Sequence, residues 1–481
     1  MTLAKTRTES DSLGSREIPA EAYWGIHTLR AQENFDITKR EISVYPELVT
    51  ALAMVKQAAA RANRDVGALD TKRAELIDHA AQRVIDGEFH DQFTVGVIQG
   101  GAGTSTNMCA NEVITNIALE MAGREKGDYV FLSPTDHTNR SQSTNDVYPT
   151  ALKIGILLAH ESQLAELDRL RAAFRKKGDE FHNILKVGRT QLQDAVPMTL
   201  GQEFHGFATT MREDWEHQTH NAGLLHEINM GATAIGTGIN GPIGYAESVR
   251  RHLAEITGMP LRTATDLIEA TSDTGAFMSL SAAIKRTAMK LSKIANDLRL
   301  LSSGPQAGLG EINLPAKQAG SSIMPGKVNP VIPEVVNQVA FAVAGNDLTI
   351  TMAVEAGQLQ LNAFEPVIAH SMFQSIIWLR QAMLTLRVNC VDGITANTAR
   401  LSAMVGQSVG VITALTPYIG YSSAAALAKT ALLTNRDVAD LVVEAGLMNR
   451  DDVTKRLRPE RLTGIEPATT AIPVISPEDL P

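Results

Sequence analysis

Cysteine is nearly missing from this chain: two stand in 481 residues, Cys109 and Cys390, with no CxxC pair and no Cys/His spacing around them. That excludes a disulfide framework and a zinc knuckle, and makes a reducing, cytoplasmic setting the expected one. An excess of positive charge is missing too. Forty-four Lys and Arg face 53 Asp and Glu, giving a net charge of −9 without any basic run, so neither nucleic acid nor an anionic membrane has an electrostatic footprint to bind. No unbroken apolar window of about 18 residues occurs. The opening stretch MTLAKTRTESDSLGSREIP also lacks the apolar core of a signal peptide, so neither a span nor an anchor is expected. What is present is an ordinary globular composition, 44% hydrophobic and 20% charged, with length for a large core and about three domains. A small-molecule substrate is the expected partner.

Helical periodicity dominates the middle of the chain. Between Ala151 and Leu185 the apolar residues Leu157, Leu164, Leu167, Phe174, Phe181 and Leu185 recur at threes, fours and sevens, the stripe of a long amphipathic helix. The same spacing runs through Phe204, Phe207, Met211, Trp215, Ala222 and Leu225, and through Phe277, Leu280, Ile284, Leu291 and Leu298. It returns in Val335, Val339, Val343, Ile350 and Val354, and again after Pro366. Five helices far above the mean length pack side by side as a bundle. The fold class is therefore expected to be mainly α, in three parts: a mixed helical entry domain at 1–144 with a helix over 47–64, the long-helix bundle at 145–400, and a small helical domain at 401–481. The last stretch, TGIEPATTAIPVISPEDLP, holds four prolines in nineteen residues and is expected to be a poorly ordered tail.

Four polar, glycine-punctuated segments interrupt the helices: QGGAGTSTN (Gln99–Asn107), RSQSTND (Arg140–Asp146), GRTQLQD (Gly188–Asp194) and AGSSIMPGKVNP (Ala319–Pro330). They share hydroxyls, amides and backbone N–H groups, which bind carboxylates or phosphates well where a segment opens a helix. Each segment by itself reads more readily as helix caps and turns, and it is the presence of four in one chain that weakens that reading. The fourth adds what capping does not need. Lys327 follows Ser321 by six residues with Pro325 and Gly326 shaping a turn between them, so a fixed cation can sit near a hydroxyl and an incoming anion.

GSSIMPGKVNP resembles the signature of the aspartase/fumarase superfamily, and the likeness runs from ESDSLGSREIPAEAYWGIHTLRAQENFDI to about residue 460. Within it, GIHTLRA, GGAGTSTNM, QSTND and GRTQLQDAVPMTLGQEF are more similar to the aspartate ammonia-lyases; fumarases read QSSND and carry histidine at the Gln191 position. The resemblance implies a fold that is all-α in its centre, a homotetramer, and active sites each assembled from three subunits. It implies reversible removal of ammonia from L-aspartate to give fumarate, by loss of a C3 proton through an aci-carboxylate.

Carried over by motif position, Ser321 is the base, Thr104, Ser143, Thr144 and Ser322 grip the β-carboxylate, Thr190, Lys327 and Asn329 hold the α-carboxylate, and Asn145 meets the amino group. Lys327 also serves catalysis by stabilising the Ser321 alkoxide, and the loop carrying both is expected to act as a lid. Gln191 belongs to the substrate-binding set and departs from the fumarase pattern, in which a histidine paired with a glutamate matching Glu334 places water; glutamine relays no proton. No cofactor and no bound metal are implied as requirements, with Mg²⁺ admitted as an activator. The alternatives are a class II type fumarate hydratase and a non-catalytic structural protein of the same fold, as in lens crystallin; the joint presence of Thr104, Ser321, Lys327 and Asn329 speaks against the last.

Two further patterns are decoys. GTGING, Gly236 to Gly241, satisfies the dinucleotide fingerprint, but Pro242 follows where a helix should run. His217, His220 and His226 lack a nearby carboxylate and are expected to be solvated helix-face residues, not metal ligands.

Overall fold

The computed structural model describes residues 5–464, so the expected tail lies, from residue 465 on, outside the described residues. The chain opens with a hairpin of β1 (Thr6–Asp11) and β2 (Gly14–Pro19), followed by α1 (Ile26–Asn34), α2 (Pro46–Asp65), α3 (Thr71–Ile85) and α4 (Thr104–Met121). Next comes α5 (Thr144–Glu180), a second hairpin of β3 (Leu185–Thr190) and β4 (Gln193–Thr199), and α6 (Leu200–Ala222). Then follow α7 (Tyr245–Thr257), α8 (Glu269–Ser272), α9 (Gly275–Leu301), α10 (Val331–Glu355) and α11 (Glu365–Asn389), with short helices up to Pro459–Leu462. Among the described residues every sheet has two strands. The architecture is mainly α, as the periodicity implies.

Local chemistry explains the element ends. Proline stands at the first position of α2, where its missing N–H costs nothing. Asp70 caps α3 by accepting from the Arg73 N–H at 3.0 Å. The expected helix over 47–64 is α2, and it buries Leu48, Leu52, Val55, Ala59 and Ala62.

The chain divides into two compact units. One comprises Met1–Glu166, Asp214–Met289 and Val339–Gln381, the other Leu167–Glu213, Lys290–Gln338 and Ala382–Pro481. Their boundaries fall inside the five long helices α5, α6, α9, α10 and α11. Within the first unit, Gln218 of α6 shares a 2.9 Å hydrogen bond with His160 of α5 and donates at 2.6 Å to Thr287 of α9. Ser281 of α9 donates to Asp347 of α10 at 2.7 Å, and Arg380 of α11 to Ser162 of α5 at 3.0 Å. A layer of satisfied polar groups thus threads the bundle. Within the second unit Phe174, Phe181, Phe204 and Phe207 meet at ring separations of 5.4 to 6.4 Å, the tilted and edge-to-face packing aromatic quadrupoles favour. A separate small core of Leu415, Ile419, Val442 and Val453 holds its C-terminal helices together.

Four expectations are corrected. The first long helix starts at Thr144 and stops at Glu180, because Leu185 has entered β3. Trp215 is 37% exposed; Asp214 and Gln218 occupy the buried face at that level. On α10 the buried stripe is Val336, Ala340, Val343, Asp347, Ile350 and Ala353, while Val335 is 40% exposed. In both helices buried polar residues keep the phase that an apolar-only reading loses. The segment Gly188–Asp194, read as a loop, is the bulged end of the β3–β4 hairpin.

Candidate active site

In the first unit, Gly103 adopts a left-handed backbone (φ 87°), and a Cβ there would lie 2.4 Å from the Tyr148 ring. No side chain fits, so the backbone comes close enough to open α4 at Thr104. Thr104 is exposed, and its hydroxyl donates to the Gly101 carbonyl at 2.8 Å. The helix start is closed internally: the Thr104 N–H donates to the Gly101 carbonyl at 3.0 Å and the Thr106 N–H to Gln99 Oε1 at 3.2 Å, while the helix dipole still favours an anion at this end.

Ser143, Thr144 and Asn145 stand half-buried at the start of α5, on a foundation of buried polar groups. Lys56, inside the apolar stripe of α2, is fully buried and directs its ammonium at three side-chain carbonyls: Asn107 (2.7 Å), Asn139 (3.1 Å) and Gln142 (2.9 Å). Asn107 in turn donates to Thr144 Oγ1 at 3.1 Å, and Ser143 Oγ accepts from the Asn145 N–H at 3.2 Å. Each hydroxyl therefore keeps its own proton for a further acceptor. Asp146 is buried and accepts N–H bonds from Ser143, Gly231 and Thr233. Burial pulls the Lys56 ammonium down to about 7 and pushes the Asp146 carboxyl up to about 6, each opposed by the other's charge. A cavity of about 520 Å³ opens over this floor, lined among others by Asp136, Arg140, Ser143, Thr233 and Asn240. The decoy GTGING borders it as a turn and opens no helix of its own.

In the second unit, Thr190 ends β3 and Gln191 sits at the hairpin tip, both exposed. Gln191 and Leu192 both have left-handed backbones (φ 53° and 61°), the two-residue turn that matches the twist of paired strands but usually asks for Asn-Gly. The hairpin's base is pinned by Glu311, which is fully buried and ion-paired with Arg189 and, at 2.9 Å, with Lys186; Lys186 also meets Glu203 at 2.6 Å.

The stretch Ala319–Pro330 is a closed loop without helix. Gly320 N–H donates to the Lys327 carbonyl at 2.7 Å, and Asn329 Nδ2 donates to the Gly320 carbonyl at 2.7 Å. A Cβ at Gly320 would lie 2.7 Å from that Lys327 oxygen, so glycine is the residue that lets the loop's ends meet. Inside it Ser321 Oγ accepts two backbone N–H bonds, from Ile323 (3.1 Å) and Met324 (3.0 Å). Ser322 and Lys327 are exposed. Glu334 lies in the first turn of α10.

Thr104, Ser143, Thr144 and Asn145 thus belong to one unit, and Thr190, Gln191, Ser321, Ser322, Lys327 and Asn329 to the other. Sequence reasoning passed over Lys56, Asn107 and Glu311. The available signal was a lysine at a buried position of ALAMVKQAAARA, where only a hydrogen-bonded cation is tolerated. His217 and His220 are exposed, and among the described residues no group of three or more His, Cys, Asp or Glu side chains is set to hold a metal ion.

The lyase family matches residues 14–345, and the fumarase C C-terminal family residues 411–464. The chain is 58% identical over 461 residues to the aspartate ammonia-lyase of Pseudomonas aeruginosa, covering 96% of this chain and 97% of that one. Among solved structures it is similar to a fumarate lyase:delta crystallin from Brucella melitensis bound to cobalt, at 53% identity and TM-score 0.93, covering 95% of this chain and 99% of that one. A class II fumarase from Schistosoma mansoni superposes at TM-score 0.90 with 32% identity, covering 96% of this chain and 100% of that one. Likeness of this extent, resting on a matching helical fold and the loops described above, leaves one lineage open: the chain belongs to the aspartase/fumarase superfamily of lyases.

Proposed function

We propose that the protein is an aspartate ammonia-lyase, a carbon–nitrogen lyase that converts L-aspartate reversibly to fumarate and ammonia. One observation carries the choice within the superfamily: identity of 58% to an aspartate ammonia-lyase against 32% to a class II fumarase, both over nearly the full chain.

The C3 proton is barely acidic beside an ionised carboxylate, so stabilisation of the doubly charged aci-carboxylate decides the rate, at about 3 kcal/mol per preorganised donor. Ser143, Thr144 and Ser322 supply those donors at the β-carboxylate, joined by Thr104 once its hydroxyl turns from the Gly101 carbonyl. Thr144 and Ser143 suit the task because their oxygens already accept a bond, which turns their protons outward. Thr190, Lys327 and Asn329 hold the α-carboxylate, and Asn145 the amino group. Ser321 takes the proton, its alkoxide steadied by the two N–H groups already aimed at Oγ and by Lys327. As the C–N bond breaks, ammonia leaves. Gln191 relays no proton and so disfavours a hydroxide leaving group. Mg²⁺ enters as an activator only, and no step runs through it.

The protein acts in the cytoplasm as a homotetramer with each active site assembled from three subunits. Support for the assembly comes from α10, where Phe341, Leu348 and Met352 are 61 to 64% exposed, a stripe too apolar for water. Supplied separately with L-aspartate and L-malate, the protein should form fumarate, followed by its ultraviolet absorbance, from aspartate alone and with equimolar ammonium. Fumarate from malate at a comparable rate would make it a fumarase, and fumarate from neither would favour a structural member of the fold or an ammonia-lyase acting on a modified aspartate.

A further inference from the structure

Asn145 bears on which leaving group is accepted, and its amide is not free to turn. The Nδ2 atom lies 2.8 Å from the carbonyl oxygen of Ala234. A carbonyl can only accept, so the nitrogen must face it, and Oδ1 is turned to the opposite side.

The turn that supplies this carbonyl is fastened to the same short stretch. Asn229 Nδ2 donates to the Asn145 carbonyl at 3.0 Å. The N–H groups of Gly231 and Thr233 donate to one oxygen of Asp146, at 3.2 and 2.9 Å, and Ser143 N–H donates to the other at 3.0 Å. Asp146 is fully buried, so it touches no substrate and acts as a clamp. The clamped conformation is not one these residues adopt by preference. Thr233 is β-branched yet has φ 58°, a region such residues avoid unless the surroundings impose it. Gly231 has φ 92°, and a Cβ on it would lie 2.5 Å from the Ala246 Cβ.

We propose that the turn Asn229–Ala234, clamped by Asp146, is the element that selects the amine, by holding Asn145 with its carbonyl oxygen toward the leaving group. The inference rests on reading Asn145 as the partner of the amino group. An ammonium offers three donors and no acceptor, whereas a hydroxyl offers both; a freely rotating amide would serve either, and a pinned Oδ1 rewards the donor. Asp146, Gly231 and Thr233 are positioning residues in this scheme. Asn145 alone meets the substrate.

The test runs the reaction backwards, with ammonium and fumarate as co-substrates and succinate as a competitive dicarboxylate. Gly231→Ala, which displaces the turn and leaves the Ser143 N–H bond to Asp146 in place, should raise KM for ammonium about tenfold or more while leaving KM for fumarate and the succinate inhibition constant within about twofold. Thr233→Gly, which frees the turn from its β-branched residue at positive φ, should give the same split and carries the test if Gly231→Ala does not fold. An equal rise in all three constants, or an unchanged ammonium KM, overturns the proposal. A wild-type protein that takes no ammonium at all overturns instead the functional reading beneath it.

Discussion

The segment Ser143–Asp146 and the loop Gly320–Asn329 both present hydroxyls and amides suited to carboxylates, and they are held in opposite ways. The first stands on buried Lys56, Asn107 and Asp146, and nearly every polar atom beneath it has a partner. The second is exposed from Ser322 to Val328 and is closed mainly by two hydrogen bonds at its neck, with the Ser321 turn inside. Donors fixed before the substrate arrives cost no reorganisation during the reaction, whereas a base that must be reached by substrate and then shielded from water gains from a segment free to close. The division suits an enzyme whose rigid segment receives the substrate and whose loop brings the base together with further carboxylate partners.

Removing the base is the sharpest way to break the comparison. Ser321→Ala should lower kcat by about three orders of magnitude or more while leaving the melting temperature within about 1 °C, because an exposed loop contributes little to stability. A variant keeping more than about a tenth of wild-type kcat removes Ser321 from the role. Amide exchange then compares the two regions directly. Residues about 319–330 should exchange fast in the free protein and slow by about tenfold with succinate bound, while the amides of Asp146 and Val147 stay slow in both states. Equal protection of the loop with and without succinate contradicts closure.

The smallest effect concerns the buried side. Glu365, fully buried at the start of α11, has its carboxyl pushed up from 4.5 to about 8 by burial, with the Lys153 charge opposing. The folded protein then keeps a proton that the unfolded chain releases above 4.5, so this group's contribution to stability falls as pH climbs from about 4.5 to about 8 and levels off beyond. Glu365→Gln should therefore leave the melting temperature nearly unchanged at pH 4.5 and raise it by a few degrees at pH 8. A constant offset across that range refutes the shift.

Much of this was legible in the residues. The stripe Phe277, Leu280, Ile284, Leu291 and Leu298 is buried throughout α9, because apolar residues at helical spacing have one way to leave water together. Stripes failed where the buried face carries polar residues: Trp215 stood in for Asp214 and Gln218, and on α10, where Asp347 shares the buried face, Val335 stood in for Val336. Such groups betray themselves only by partners, His160 and Thr287 for Gln218, that lie far along the chain.

By itself, then, the sequence determined the helical bundle, through periodic burial of apolar side chains, and the identity of the polar segments, through glycines and hydroxyls that a helix would not keep. It also displayed Ser321 and Lys327 within one short loop. Only the tertiary structure decided which way each polar group faces. That Thr144 accepts from Asn107, that Glu311 pins the Thr190 hairpin, and that Ala234 turns the Asn145 amide depend on partners 37 to 122 residues apart. A hydrogen bond has direction, and direction between distant residues exists only once the chain has folded.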